Sequence, residues 1–157
     1  REIISEDSYA LLVLFETVST VAILQHIGYF YCFNSTSLTQ TYRPDRYAKI
    51  CRFYEEAVKL QVALGYPEVV KERIARLYLA FVVGALKQIA GAPESMAVQI
   101  QNVRSVVLDS VLQKVIWGLD ISCYSWKIKL LFLSLRYRCW AVTFLLVWMQ
   151  AGKMRIS

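Results

Sequence analysis

The stretch 65–94, GYPEVVKERIARLYLAFVVGALKQIAGAPE, begins and ends with the same four-residue pattern. Gly65-Tyr66-Pro67-Glu68 and Gly91-Ala92-Pro93-Glu94 each place a glycine, a linking residue, a proline and a glutamate in that order. Glycine commonly ends a helix, proline fits the first helical position, and an acid in the first turn suits the helix dipole. The pattern therefore predicts a helix of about 67–90 between two helix boundaries. The 26-residue spacing also suits a helical repeat, although no further residue pattern is shared.

Amphipathic helices are predicted on both sides of this stretch. Pro44 opens a helix that ends at Gly65, another helix covers about 93–117, and a last helix runs from Ser122 or Ser125 to about Gln150. Apolar residues recur at three- and four-residue steps, which places them on one face of each helix. These stripes are Tyr47, Ile50, Cys51, Tyr54 and Val58; then Val70, Ile74, Leu77, Tyr78 and Phe81; then Met96, Ile100, Val103 and Val107.

The first 42 residues have a different character. Ser5 can cap a helix over Tyr9–Phe15, whereas 21–24 and 29–33 are short runs of aliphatic and aromatic residues separated by Gly28. We therefore predict a mainly α fold in which a short two-stranded β element near the N-terminus precedes an amphipathic helical bundle. The predicted division is 1–42 and 43–157.

Charge is distributed unevenly along the 157 residues. Hydrophobic residues make up 57% and charged residues 19%, which excludes a disordered chain. Residues 1–120 carry 12 basic and 12 acidic side chains, so the net charge of +6 comes entirely from 121–157, which contains no acid. Basic residues beside tryptophans favour an anionic membrane surface over nucleic acid. The predicted membrane-interface residues are Trp126, Lys127, Lys129, Arg136, Arg138, Trp140, Trp148, Lys153 and Arg155.

The segment Leu130–Met149 has the 20 residues needed to cross a bilayer. Its ten Leu, Phe and Val residues favour insertion by about 3–6 kcal/mol, but Arg136 and Arg138 oppose it by about 5–7 kcal/mol. The balance favours a helix lying in the membrane interface. A last helix packed on its neighbours, with its charges in water, is the alternative.

Cysteine and histidine are too few and too scattered to predict a metal site. The four cysteines, Cys32, Cys51, Cys123 and Cys139, include no C-x-x-C pair, and His26 is the only histidine. We expect free thiols and no metal ligands.

An ordered set of motifs lies in residues 3–46. Ile3-Ile4-Ser5-Glu6-Asp7 is followed by Tyr29-Phe30-Tyr31, Asn34, Ser37-Leu38-Thr39 and Tyr42-Arg43-Pro44-Asp45-Arg46. Together they closely resemble one continuous stretch of bacterial family 2 glycosyltransferases. In that family this stretch ends the nucleotide-sugar domain, and a few amphipathic helices with a basic, apolar tail commonly follow. The resemblance is motif-specific over 3–46 and covers the rest of the chain in layout only.

The resemblance implies roles for individual residues. Asp7 matches the aspartate that acts as general base toward the acceptor hydroxyl, a proton transfer that a positioned carboxylate can perform. Glu6 matches its supporting neighbour, and Tyr31, Asn34 and Tyr42 match positions near the acceptor. The residues alone support other roles: two acids that favour a helix start, aromatic core residues and a turn-forming asparagine.

The resemblance also implies partners and a location. The intact enzyme would transfer a sugar, with inversion, from a nucleotide-sugar donor to a lipid-linked or cell-envelope glycan. It would do so with a divalent metal (Mg or Mn), peripherally, in the cytoplasm at the inner face of the plasma membrane. The chain contains no Asp-x-Asp to hold that metal, and Cys32 stands where the family usually has arginine. We therefore expect the C-terminal portion of an enzyme, inactive by itself.

A second function of a different class fits the same residues. The tail 121–157 combines six cations with three tryptophans, which can localise a protein without catalysis. The alternative is therefore a non-catalytic helical protein that binds a membrane or a partner through 121–157.

Overall fold

The computed structural model describes residues 42–154, together with Ala10, Leu14, Thr17, Val18, Thr20 and Ala22. Residues 42–154 form a bundle of helices, so the mainly α fold and the helical bundle are confirmed. The strands predicted at 21–24 and 29–33 fall outside the described residues, apart from Ala22. The helices are α1 (Arg46–Ala63), α2 (Glu68–Ala90), α3 (Met96–Leu108), α4 (Ser110–Gly118), α5 (Trp126–Arg136) and α6 (Trp140–Met154).

Helix α2 lies at the centre of the bundle and contacts α1, α3, α4 and α6. Tyr78, Leu79 and Val82 are fully buried. They lie on more than one face of α2, because neighbouring helices surround it. The main core continues through Val103 of α3, Ile116 of α4, Leu135 of α5 and Val147 of α6. A smaller cluster, Phe53, Ala57 and Ile74, fills the space between α1 and α2.

The first of the two matching junctions has the predicted structure. Gly65 adopts a left-handed conformation with φ of 64°. The amides of Gly65 and Tyr66 donate to the carbonyls of Val62 (3.1 Å) and Gln61 (3.0 Å), which is the Schellman arrangement. Pro67 directly precedes α2 and closes the turn.

The second junction differs, and the prediction of a helix starting at Pro93 is wrong. Gly91 has φ of −100°, and α3 begins only at Met96. Ser95 caps it, because the Ser95 hydroxyl accepts from the amide of Val98 (3.4 Å). The side chain of Gln99 ties down the connection by donating to the carbonyls of Ala92 (2.8 Å) and Glu94 (3.1 Å). Gln99 is therefore buried, whereas Met96, predicted to lie on the apolar face, is 56% exposed.

Two helices that the periodicity predicts as continuous are each broken once. Asp109 separates α3 from α4, since its carboxylate accepts from the amides of Val111 (2.8 Å) and Leu112 (3.2 Å) and starts a new helix. Arg138 separates α5 from α6 by adopting a left-handed conformation with φ of 56°. The apolar periodicity continues across both breaks and therefore hides them.

Candidate functional site

Helix α5 carries an apolar stripe on its outward face. Trp126, Leu130, Leu133 and Tyr137 follow one another at helical spacing, from the first residue of α5 to its C-cap, and all are exposed, Trp126 by 71%. The buried residues of this helix, including Leu131 and Leu135, occupy the other face. A helix that packs only on its neighbours normally turns polar residues outward, so this face is unusual for a solvated surface.

Helix α6 has a second outward apolar stripe. Val142, Leu145, Trp148 and Met149 are exposed, whereas Thr143, Val147 and Ala151 point into the bundle. No charged residue occurs between Trp140 and Gln150. The sequence-based prediction selected tryptophans and cations and missed these aliphatic residues, although their three- and four-residue spacing places them on one face.

Outward cations accompany the α5 stripe. Lys127 is exposed, and its ammonium lies 5.7 Å from the centre of the Trp126 ring. Arg138 is exposed at the turn between α5 and α6, and Lys129 is half-buried beside the stripe. Positive charge next to exposed tryptophan is the chemistry expected at an anionic membrane interface.

Arg136 points inward and completes the end of another helix. Its guanidinium donates to the carbonyl of Ile116 from Nε (3.3 Å) and Nη2 (2.9 Å), and to that of Leu119 from Nη2 (2.8 Å). It also lies 5.2 Å from the centre of the Trp117 ring. The last carbonyls of a helix have no partners within it, so Arg136 satisfies those of α4. We predicted Arg136 as a membrane-interface residue, and the structure gives its guanidinium carbonyl partners within the bundle.

Trp140 is likewise directed into the bundle. It is half-buried against the main core, and the guanidinium of Arg104 on α3 lies 5.7 Å from the centre of its ring. Trp148, predicted with it, is 46% exposed on the outward stripe of α6. The two tryptophans of α6 therefore lie in different environments.

Buried polar contacts fix α5 and α6 to each other and to α4. The hydroxyls of Ser134 and Thr143 lie 2.8 Å apart between α5 and α6. Gln113 of α4 donates to the carbonyls of Val107 (2.8 Å) and Leu135 (2.9 Å). It thereby connects the end of α3 with the end of α5. These contacts hold the outward stripes on a defined framework.

Tyr42 is the one predicted acceptor-side residue that the structure describes. Its hydroxyl interacts with Glu94 and Asn102, and burial followed by the charge of Glu94 raises the pKa of the phenol. The predicted residues Glu6, Asp7, Tyr31, Asn34 and Arg155 lie outside the described residues, and Lys153 is helical with no side chain described.

The described part of the chain offers no grouping of three or more His, Cys, Asp and Glu side chains that could hold a metal ion. Cys51, Cys123 and Cys139 are free thiols. Of the helices in 42–154, none is both long enough and apolar enough to cross a membrane. Comparison with protein-family models, curated proteins and solved structures gave no match.

Proposed function

We propose that this chain is the C-terminal portion of a family 2-like glycosyltransferase. The intact enzyme would move a sugar from a nucleotide-sugar donor to a lipid-linked or cell-envelope glycan, with inversion. The observation that carries the proposal is the ordered motif set over 3–46, whose last motif, Tyr42–Arg46, runs directly into a helical bundle. That succession is what the resemblance leads us to expect.

In this proposal residues 1–42 form the edge of an α/β nucleotide-sugar domain and 43–157 form its helical C-terminal region. Asp7 takes the proton of the acceptor hydroxyl as it attacks the anomeric carbon, and Glu6 supports it. Tyr31, Asn34 and Tyr42 line the acceptor side. The Mg or Mn ion would lie with an Asp-x-Asp motif, which this chain does not contain.

The test uses the protein encoded by the complete coding sequence. We expect an in-frame α/β half with an Asp-x-Asp motif upstream of Arg1, and release of nucleoside diphosphate when donor and acceptor are supplied. Asp7→Asn should lower kcat about 10²- to 10⁴-fold, the contribution typical of a general base. The matched control is Glu72→Gln, which neutralises an exposed acid paired with Arg76 on α2 and should leave kcat unchanged. A coding sequence whose start codon lies immediately upstream of Arg1, or full turnover by Asp7→Asn, would contradict the proposal.

We further propose that the outward stripes of α5 and α6 hold this enzyme peripherally on an anionic membrane, at the cytoplasmic face of the plasma membrane. Exposed Trp126, Leu145 and Trp148 supply apolar area, and Lys127 and Arg138 supply charge. Each cation near an anionic surface is worth about 1 kcal/mol. Placement at the membrane would bring the acceptor side close to a lipid-linked glycan.

The second candidate function is a non-catalytic helical protein that binds a membrane or partner through 121–157. The specific observation in its favour is again the pair of outward stripes, which needs no catalytic residue. Both candidate functions predict vesicle binding, so vesicle binding does not distinguish them. The upstream coding sequence and an assay of sugar transfer do. Vesicle binding through 121–157 should be tested with point variants. A chain truncated at Asp120 would lose the core residues Leu131, Leu135 and Val147.

A further inference from the structure

Helix α4, which precedes the segment predicted to bind a membrane, also has an outward aromatic residue. Trp117 is 56% exposed near the C-terminus of α4, and exposed Lys114 lies three residues before it on the same face. The buried residues of α4 are directed toward the bundle. This face therefore repeats the combination of an exposed tryptophan and a lysine that α5 shows at Trp126 and Lys127.

Trp117 is held in a fixed position although much of its ring is exposed. The guanidinium carbon of Arg136 lies 5.2 Å from the centre of the Trp117 ring. Arg136 is itself fixed, because it donates to the carbonyls of Ile116 and Leu119 on either side of Trp117 in the sequence. The ring of Tyr137 packs edge-on against Trp117, with the ring centres 5.8 Å apart. A side chain that is fixed before binding loses little conformational freedom on binding, so this exposed indole is suited to an interface.

Tyr137 connects Trp117 with the outward stripe of α5. Tyr137 is the last residue of that stripe and is exposed, so its contact with Trp117 makes one aromatic surface of α4 and α5. Helix α5 contacts α6 as well as α4. The outward faces of α4, α5 and α6 therefore follow one another on one side of the bundle.

Charge along this surface is positive on balance. Neither α4 nor α5 contains an acidic residue. Two carboxylates flank α4: Asp109 accepts from amides of the first turn of α4, and Asp120 accepts from the amide of Ser122 (2.8 Å). The cations of this surface are Lys114, Lys127, Lys129 and Arg138. An anionic bilayer complements this balance, whereas the cores of protein interfaces are depleted in lysine.

We propose that Trp117 and Lys114 of α4 contact an anionic phospholipid bilayer together with the outward stripes of α5 and α6. This inference rests on the membrane contact already proposed for α5 and α6, and it extends that contact to a helix that precedes 121–157. The indole of Trp117 lies at headgroup depth, where tryptophan is enriched in membrane-bound proteins. The ammonium of Lys114 reaches the lipid phosphates while its aliphatic stem stays beside the ring.

Flotation of the 157-residue chain with phosphatidylglycerol vesicles tests this assignment. Trp117→Ala should bind the vesicles about 5- to 30-fold more weakly, which is the loss expected from one interfacial indole. Lys114→Gln should weaken binding about fivefold, and this effect should shrink as the salt concentration rises from about 0.1 M to about 1 M. The matched controls are Val62→Ala, an exposed apolar residue of α1, and Arg52→Gln, an exposed cation of α1. Each control should change binding by less than about twofold at the same salt concentration.

Tryptophan fluorescence gives a second readout that does not depend on affinity. Trp117→Phe keeps an aromatic ring against Tyr137 and should remain folded, which urea unfolding checks. At saturating vesicle concentration, brominated phosphatidylglycerol should quench less fluorescence intensity in Trp117→Phe than in the natural chain, because bromine quenches only nearby indoles. Equal quenched intensity in the two proteins would place Trp117 in water and overturn the inference.

The same experiments separate this inference from the membrane contact on which it rests. If Trp126→Ala with Trp148→Ala weakens flotation but Trp117→Ala does not, α4 lies outside the membrane contact and this inference alone fails. If the natural chain does not float with anionic vesicles, both proposals fail. If Trp117→Ala abolishes self-association in sedimentation and leaves flotation unchanged, the α4 surface binds a second copy of the chain, which also overturns the inference.

Discussion

The α1–α2 and α5–α6 hairpins have the same type of turn, but their outward surfaces differ in chemical character. Each first helix ends in a Schellman arrangement around a left-handed residue, Gly65 with φ of 64° and Arg138 with φ of 56°. The outward side of α1–α2 carries ion pairs between oppositely charged side chains three or four residues apart: Lys59 with Glu56, Lys71 with Glu68 and Arg76 with Glu72. The outward side of α5–α6 carries Trp126, Leu145 and Trp148.

The outward side of α1–α2 is therefore typical of a solvated helix surface, whereas the outward side of α5–α6 is not. Charges paired three or four residues apart are typical of solvated helices. The second hairpin has no acidic side chain, and its inward cation is bound by carbonyls. It also keeps an arginine where glycine would be unstrained, which costs about 1–2 kcal/mol. Strain retained at an exposed cation suggests a role for that cation outside the bundle.

The largest effect on stability is expected from Arg136→Ala. Loss of the guanidinium leaves the carbonyls of Ile116 and Leu119 without their charged donor, and such bonds are worth about 1.5–3 kcal/mol. We expect urea unfolding to show a loss of about 2–3 kcal/mol. Arg136→Lys, which keeps the charge but not the planar fork, should recover only part of it. Wild-type stability in Arg136→Ala would show that the residue is free, as an interface cation would be.

Exchanging the two turn residues sharpens the comparison. Arg138→Gly should raise the free energy of unfolding by about 1 kcal/mol, because glycine adopts a positive φ without strain, and it should weaken vesicle binding. Gly65→Arg should lower the free energy of unfolding by about 1–2 kcal/mol and leave vesicle binding unchanged. Denaturant unfolding and flotation of both variants measure these effects. Equal changes in flotation would remove the distinction between the hairpins.

The smallest effect is expected from the ion pairs of α1–α2. Glu72→Gln should change the free energy of unfolding by less than about 1 kcal/mol, as is usual for exposed pairs. Urea unfolding of this variant beside Arg136→Ala measures the contrast. A loss as large as that of Arg136→Ala would show that the paired surface is structural too.

Acid should affect the two hairpins differently. The hydrogen bond from Lys49 holds the pKa of Asp45 below its ordinary value of 3.8. A lowered pKa stabilises the fold above the unfolded value, and this contribution is lost as pH falls through the folded value. Hydrogen exchange below about pH 4 should therefore show earlier opening at α1 than at α5, which has no carboxylate side chain to titrate. Asp45→Asn should reduce the difference at α1, where Glu56 still pairs with Lys59.

The sequence predicts helices and their faces better than it predicts breaks. Gly65 ends α1 as expected because glycine favours the left-handed turn. Asp109 and Arg138 interrupt helices without glycine or proline, so the periodicity does not reveal them. An Asp109-Ser110 pair is a possible cap signal, whereas no local pattern indicates a left-handed Arg138.

Only part of the candidate site follows from composition. The tail is apolar, aromatic and basic by composition, but composition does not tell the outward Trp126 and Trp148 from the inward Trp140. Composition does not tell which cation faces inward, because Arg136 and Arg138 are two residues apart and their directions depend on the carbonyls of α4.

Flotation with phosphatidylglycerol vesicles tests the central claim most directly, namely that the outward stripes of α5 and α6 face an anionic membrane. The variant is Trp126→Ala with Trp148→Ala, and the matched control is Lys59→Ala with Glu56→Ala on the paired surface of α1. The double tryptophan variant should bind about 10- to 100-fold more weakly and remain folded, with a loss of unfolding free energy of about 1–2 kcal/mol from the partly buried Trp148. The control should bind as the natural chain does. Equal binding by all three proteins would contradict the account.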